Sequence, residues 1–384
     1  MFQVILKTVH RNQYGFIKTR TIQDSVGWAF EYLHQCKQSG KEIVIIKLDF
    51  EKAFDTMEHS YILKMLECKG FVDRWCMWIK MLLQSGTSSI LMNGIPGTEF
   101  QCKQGVRQGD PISPLLFVLA VDLLQSLINK AWMDGLISLP INQPASEDYP
   151  VIQYADDTLI ILPASQQELQ TIKGILDSYA RATGLKINYA KSQLMPINVN
   201  AQKTLDLANT LGCQVGAMSF TYLGLPLGTT RPTVRELMPL VDRIERRLTG
   251  TAIWLSYEER VQLINSALLS LLSFAMCVLK LPLKLIEIFD RSRRHCLWRK
   301  ELDRDAKTHS LAAWEMVCRP KKKVGLGILN LQIQNNALLL KYLHKFIHKQ
   351  DVPWVMLVWN AHYDDTPPTR SHPVAPFGGV MFSL

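Results

Sequence analysis

Val151-Ile152-Gln153-Tyr154-Ala155-Asp156-Asp157-Thr158-Leu159-Ile160-Ile161-Leu162 sets two apolar runs on either side of a short acidic break. Two β-favouring runs with so tight an interruption predict a hairpin, with Ala155-Asp156-Asp157 as its turn. Adjacent carboxylates repel each other, and a hairpin tip can be built from less costly residues. An isolated A-D-D therefore reads either as a solvated acidic turn or as part of a site where a cation offsets the repulsion. A second segment bears on the choice. Ile43-Val44-Ile45-Ile46-Lys47-Leu48 is too short and too apolar for a surface helix and predicts a buried central strand, and it ends on Asp49. A lone carboxylate there is costly without a partner. Three carboxylates brought together on adjacent strands make an oxygen-rich site suited to Mg²⁺. Two such ions about 3.5–4 Å apart can activate an attacking hydroxyl and stabilise the leaving oxygen of a phosphoryl displacement.

Outward from this pair, Ile62 to Leu83 predicts a helical region interrupted near Gly70. Thr87 to Met92, Asn93-Gly94 and Thr98 to Cys102 predict a second hairpin. Leu115, Leu116, Leu119, Val121, Leu124 and Ile128 give a long helix from Ser113 with a wide buried face. Gln166 to Thr183 repeats the helical period and stops at Gly184, a natural C-cap. Strand, helix, hairpin and helix in this order predict an α+β fold, an antiparallel sheet backed by helices. Beyond Pro226 the pattern changes: Leu237, Leu240, Val241 and Ile244 recur at helical spacing, with Arg243, Arg246 and Arg247 on other faces. Residues 231–300 thus form a candidate helical domain. A further helix is expected over Ile333 to Lys349, after Lys321-Lys322-Lys323, and the last twenty residues are expected to be loose.

Hydrophobic residues at 47% and charged residues at 20% exclude a disordered chain. The net charge of +9 suits a polyanionic partner without identifying one. Eight cysteines without a C-x-x-C pair argue against a zinc ribbon and provide no disulfide framework. Lys7, His10 and Arg11 arrive too early for a signal-peptide core. Val261 to Leu279 is uncharged and nearly long enough to span a bilayer, but its Gln262, Asn265 and serines, and a capping box from Ser256 to Glu259, favour a buried helix.

KLDFEKAFD (47–55), RQGDPISPLLF (107–117), YADD (154–157), GLKINYAKS (184–192) and YLGLPLG (222–228) resemble successive motifs of non-LTR (LINE-type) reverse transcriptases, the plant branch most of all. NQYGFIKTRTIQD (12–24) is similar to the segment that precedes them in that family, and the likeness covers roughly residues 12–300. It implies a right-hand polymerase: a remnant of fingers (1–35), a palm with finger insertions (36–230), a helical thumb (231–300) and a C-terminal extension of unknown role (301–384). It also implies RNA-directed DNA synthesis with two Mg²⁺ ions, or Mn²⁺, on an RNA template with a DNA primer and deoxynucleoside triphosphates. Asp49 and Asp156 match the metal-binding carboxylates, Asp157 the third acidic position, and the main chain at Phe50 the place beside the triphosphate. Phe54 matches the gate that excludes a ribose 2′-hydroxyl, and Gln108 and Gly109 the pair against the nascent base pair. Lys191 matches a possible proton donor to pyrophosphate, Arg20 a basic finger position, and Tyr222, Leu223 and Gly224 the primer grip. Arg107, Arg243, Arg246, Arg247, Arg291, Arg293 and Arg294 would meet nucleic-acid phosphates.

Members of the family usually carry an endonuclease and further finger strands upstream of the Q-Y-G-F segment. Their place here, ahead of Asn12, holds only eleven residues, which predicts an amino-terminally truncated chain with weakened triphosphate binding. The alternative is thus a catalytically weak or inactive nucleic-acid-binding remnant of such an element. A group II intron maturase is a third reading, disfavoured by Y-L-G-L-P-L. The compartment is expected to be nuclear or cytoplasmic, without a membrane anchor; the oligomeric state is open.

Overall fold

The computed structural model describes residues 2–142, 148–249, 254–298 and 310–363. The chain forms two compact units: Met1–Ser25 with Gln35–Met218, and Val26–His34 with Ser219–Leu384. The helix Ile22–Gln38 therefore lends its middle turns to the second unit.

The first unit is built on a five-stranded sheet. Its strands are β1 (Ile43–Leu48), β2 (Val151–Tyr154), β3 (Asp157–Pro163), β4 (Gln193–Ile197) and β5 (Gln214–Val215), in the order β2-β3-β1-β4-β5. β1 is central and fully covered; Ile43, Val44, Ile45 and Ile46 are all 0% exposed, as a strand buried on both faces requires. It pairs antiparallel with β3, from Ile43 opposite Pro163 to Leu48 opposite Thr158, and with β4, from Ile43 opposite Ile197. The sheet is mixed at its far edge, where β4 and β5 run parallel. The helix Ala201–Leu211 connects those two strands, and a crossover helix returns the chain in the same direction.

Val44, Ile46 and Leu48 project into a core shared with the helices His59–Cys68, Ser113–Met133 and Gln166–Thr183. Ser113–Met133 is apolar and long enough to cross a membrane by length and composition, but 67% of its most apolar window is buried, which makes it the core helix behind the sheet. Gly184 ends the last of these helices in the left-handed conformation, as expected. The second hairpin is present as two short ladders, Thr87–Ser88 with Phe100–Gln101 and Leu91–Met92 with Ile95–Pro96. Asn93 and Gly94 both have positive φ at its tip, the pattern of a two-residue type I′ turn.

Within the second unit, Phe220–Tyr222 pairs with Leu225–Leu227, and the helices Val234–Thr249, Tyr257–Leu263, Leu269–Val278 and Leu283–Trp298 follow. Leu237, Val241 and Ile244 are buried as their spacing predicted. The Ser256–Glu259 capping box is formed in both directions. Tyr257–Val278, which includes a π-helical stretch at Ile264–Leu268, is also apolar and long enough to cross a membrane by length and composition. Leu331–Ile347 and Pro353–His362 complete the described part of the unit. The last twenty residues lie outside the described residues.

Candidate active site

The acidic hairpin is tighter than its sequence suggests. Tyr154 pairs with Asp157, so the turn is Ala155-Asp156 alone and Asp157 opens β3. Ala155 makes this possible by taking a φ of 56°, a left-handed conformation that costs a non-glycine residue about 1–2 kcal/mol. The β1–β3 register, carried one residue beyond Leu48 opposite Thr158, sets Asp49 opposite Asp157. Asp156 is exposed at the tip, while Asp49 and Asp157 are half-buried. The Asp157 carboxyl is pushed up, chiefly by burial and then by the charge of Asp156; Lys47 opposes this and Asp49 adds to it. Asp49 and Asp157 thus meet at the end of two adjacent strands, with Asp156 next in chain at the tip.

Asp49 is anchored through its main chain. Its amide donates to the buried Ser192 Oγ at 3.1 Å, and its carbonyl accepts from the Asn188 amide at 2.8 Å. The Glu51 amide donates to the Lys186 carbonyl at 2.9 Å, and Phe50 bridges Ile187 between these bonds. The segment 184–192 is therefore the cradle of the first carboxylate. Lys191, at its end, is exposed.

Phe54 is half-buried, stacked on Phe117 with ring centroids 4.3 Å apart, and Phe16 meets it edge-on at 6.4 Å. The Val106 amide donates to the Phe54 carbonyl at 2.7 Å, and Gln108 Nε2 donates to Asp55 Oδ1 at 3.3 Å. These bonds bring Gln108 and Gly109 alongside the segment that carries Phe54. Arg107 and Gln108 are exposed, and Gly109 has a φ of 93° that suits glycine.

Arg20 is differently employed from a basic finger residue reaching for a ligand. Its guanidinium donates to the carbonyls of His10, of Gln13 at 2.7 Å and of Val9 at 2.9 Å. Burial pulls its pKa down, with Tyr14 and Asp122 opposing. What it holds is the loop that runs from Val9 to Gln13 and on to Phe16. Gln13, within that loop, is fully buried, and its Oε1 accepts from the Ala155 amide at 2.9 Å and the Gly15 amide at 2.8 Å. Phe16 also belongs to this loop, half-exposed with a φ of 58°. Uncharged residues carry no signal for such contacts; the one hint was their place in a motif.

In the second unit Tyr222 is buried and pairs with Leu225, while Leu223 and Gly224 form the turn with φ of 49° and 81°. Arg243 and Arg246 are exposed on Val234–Thr249, and Arg246 Nε donates to the Asp242 carbonyl at 3.2 Å. The side chain of Arg247 lies outside the described residues, Arg291 is exposed and Arg294 half-buried. Arg293 does not meet the expectation of a phosphate contact: it is buried, and its guanidinium donates to Asp290 and to the Leu329 carbonyl.

Among the described residues no three His, Cys, Asp or Glu side chains form a ready-made metal cage. Mg²⁺ does not need one, because it keeps water and takes one or two carboxylates together with substrate phosphates. The hard oxygens of Asp49 and Asp156, with the main chain at Phe50, fit that ion in kind.

The reverse transcriptase (RNA-dependent DNA polymerase) family matches residues 1–227. The Transposon TX1 uncharacterized 149 kDa protein of Xenopus laevis is 25% identical over 363 residues, which cover 92% of this chain and 26% of that protein. A retrovirus-related Pol polyprotein from the type-1 retrotransposable element R2 of Popillia japonica is 29% identical over 227 residues, 56% of this chain and 31% of that protein. The chain thus spans about a quarter to a third of the length of these relatives. Among solved structures, apo telomerase from Candida tropicalis gives a TM-score of 0.44 at 13% identity, over 93% of this chain and 59% of that one. The family match takes in more than half of the chain and includes Asp49, Asp156 and Asp157. The chain belongs to the reverse transcriptase family, with the motifs of its non-LTR retrotransposon members.

Proposed function

We propose that this chain is the polymerase part of a non-LTR retrotransposon protein, an RNA-directed DNA polymerase that extends a DNA primer on an RNA template with deoxynucleoside triphosphates. The observation that carries the reading is the register of β1 against β3, which ends with Leu48 opposite Thr158 and, continued by one residue, sets Asp49 opposite Asp157 with Asp156 at the adjoining tip. Two divalent cations, when bound by Asp49, Asp156 and the main chain at Phe50, would activate the primer 3′-hydroxyl and offset charge on the leaving pyrophosphate. Asp157, the third acidic position, adds negative potential at the same strand ends. Lys191 is exposed after the cradle and would hold a proton for the pyrophosphate.

Phe54 acts as the sugar gate, because a ring packed against C2′ leaves no room for a further oxygen. Its stacking on Phe117 and the anchoring of 106–108 to 54–55 support a rigid pocket with Gln108 and Gly109 against the nascent pair. Tyr222, Leu223 and Gly224 form the primer grip. Arg107, Arg243, Arg246 and Arg247 give salt-sensitive contacts to phosphates without reading sequence. Residues 36–230 then serve as palm and 231–300 as thumb. Arg20 is better explained as a structural staple than as a triphosphate ligand.

The decisive experiment is primer extension on an RNA template with Mg²⁺, comparing the wild-type chain with Asp156→Asn. A drop on the order of 10³-fold in the variant is expected. Equal signals from both, including none from either, would remove the polymerase reading and leave nucleic-acid binding without catalysis. Phe54→Val tests the gate on its own: ribonucleotide incorporation should rise, and unchanged discrimination would cancel that role.

A further inference from the structure

We infer that Gln13 is a positioning residue for the acidic hairpin, fixing where Asp156 and Asp157 stand relative to Asp49. The inference rests on the polymerase reading above. Gln13 is 0% exposed, and its carbonyl oxygen accepts two amide hydrogens, one from within its own loop (Gly15, 2.8 Å) and one from the hairpin turn (Ala155, 2.9 Å). Its Nε2 lies 3.5 Å from the Ala155 carbonyl, so both main-chain polar groups of Ala155 face one side chain.

The surrounding backbone turns this contact into a clamp. Residues 12–14 meet β2 in an isolated parallel β-bridge, Gln13 with Gln153: the Tyr14 amide donates to the Gln153 carbonyl at 2.8 Å, and the Gln153 amide to the Asn12 carbonyl at 3.0 Å. Gly15 closes it, since a Cβ there would come within 2.4 Å of the Ala155 nitrogen. Arg20 holds the loop from behind through the Gln13 carbonyl at 2.7 Å. Ala155 sits in the left-handed conformation, which persists only where the surroundings over-determine it. It immediately precedes Asp156. A glutamine that served general packing would satisfy its own loop; this one bonds the residue next to the carboxylate.

Gln13→Met keeps the length and removes the acceptor. In the full chain, hydrogen exchange across 151–158 should rise about five- to tenfold, the factor expected for one lost hydrogen bond, while β1 stays protected. In the same variant, Mn²⁺ titration followed by electron paramagnetic resonance, with primer–template and deoxynucleoside triphosphate present, should show about tenfold weaker binding. Primer–template affinity should not change. Gln13→Glu retains the acceptor and should restore hairpin protection. Should Gln13→Met fail to fold, Gln13→Asn, which keeps the amide but shortens its reach to the Ala155 amide, is read by the same measurements. Unchanged exchange and Mn²⁺ affinity would overturn the inference. So would a loss of protection spread equally over β1 and the hairpin, which would make Gln13 a packing residue. The two claims fail separately: hydrogen exchange reports on the clamp whether or not Asp156→Asn alters primer extension.

Discussion

Asp157 in the first unit is half-buried and Arg293 in the second fully so, and the fold treats the two charges in opposite ways. Arg293 is 2% exposed and lies 2.7 Å from Asp290, 2.6 Å from the Leu329 carbonyl and 5.3 Å from the centre of the Trp314 ring. Burial pulls its pKa down, and Asp290 works to hold it up. Asp157 instead has Asp156 and Asp49 as charged neighbours, and both make its ionisation harder, against Lys47. A charge answered by opposite charge and carbonyls is part of the scaffold. A half-buried carboxylate set beside two others makes the fold less stable than it need be, and such places are where function is found.

Substitutions at the answered charges should therefore cost stability. Arg293→Met would leave Asp290 without its cation and should destabilise the second unit by about 3–5 kcal/mol, read from urea unfolding. A cost below about 1 kcal/mol would mean that the pairing is incidental. Arg20→Gln comes next. Losing a charged donor from three carbonyls should cost about 2–3 kcal/mol, with faster hydrogen exchange over residues 9–15. If stability held and the KM for deoxynucleoside triphosphate rose, Arg20 would be a substrate ligand after all.

This contrast also explains what could be read from the sequence. β1 and the acidic hairpin were legible because short β-branched runs between polar breaks have few other solutions. The turn was set one residue too long, because no rule assigns a left-handed φ to Ala155. The helix Ile22–Gln38 was missed although Thr21 accepts from the Asp24 amide as an N-cap. It is buried on nearly every side from Asp24 to Leu33, polar Asp24, Ser25 and Glu31 included, and that erases the one-sided stripe on which helix reading depends. Arg20 announced its charge but not its carbonyl partners, and Gln13 announced nothing.

Asp157→Asn should sharpen the comparison from the acidic side. The carboxyl titrates higher in the fold than in the unfolded chain, so its penalty is absent below the ordinary carboxylate range and in force once pH exceeds the folded value. At neutral pH the variant should gain up to about 1 kcal/mol, on the order of 2–4 °C in Tm, and the gain should vanish as the pH falls to about 3. A loss of stability at neutral pH would show that Asp157 is answered by its surroundings, like Arg293.

The smallest effect belongs to a pair between these extremes. Glu31 is fully buried, and His362 reaches it from the helix Pro353–His362 at 3.0 Å, with its own side chain 27% exposed. The hydrogen bond to Glu31 raises the His362 pKa above its ordinary 6.5, against burial. A histidine raised in the fold stabilises fully below the unfolded value and loses that contribution as the pH climbs through the folded one. Wild-type protection of Pro353–His362 against hydrogen exchange, corrected for intrinsic rate, should thus weaken between about pH 6 and 8 by less than about 1 kcal/mol. His362→Gln keeps a hydrogen-bonding group without the titration and should flatten that slope. An equal slope in both proteins would mean that the Glu31 carboxylate does not depend on the charge of His362, and that its burial is answered by the rest of the unit.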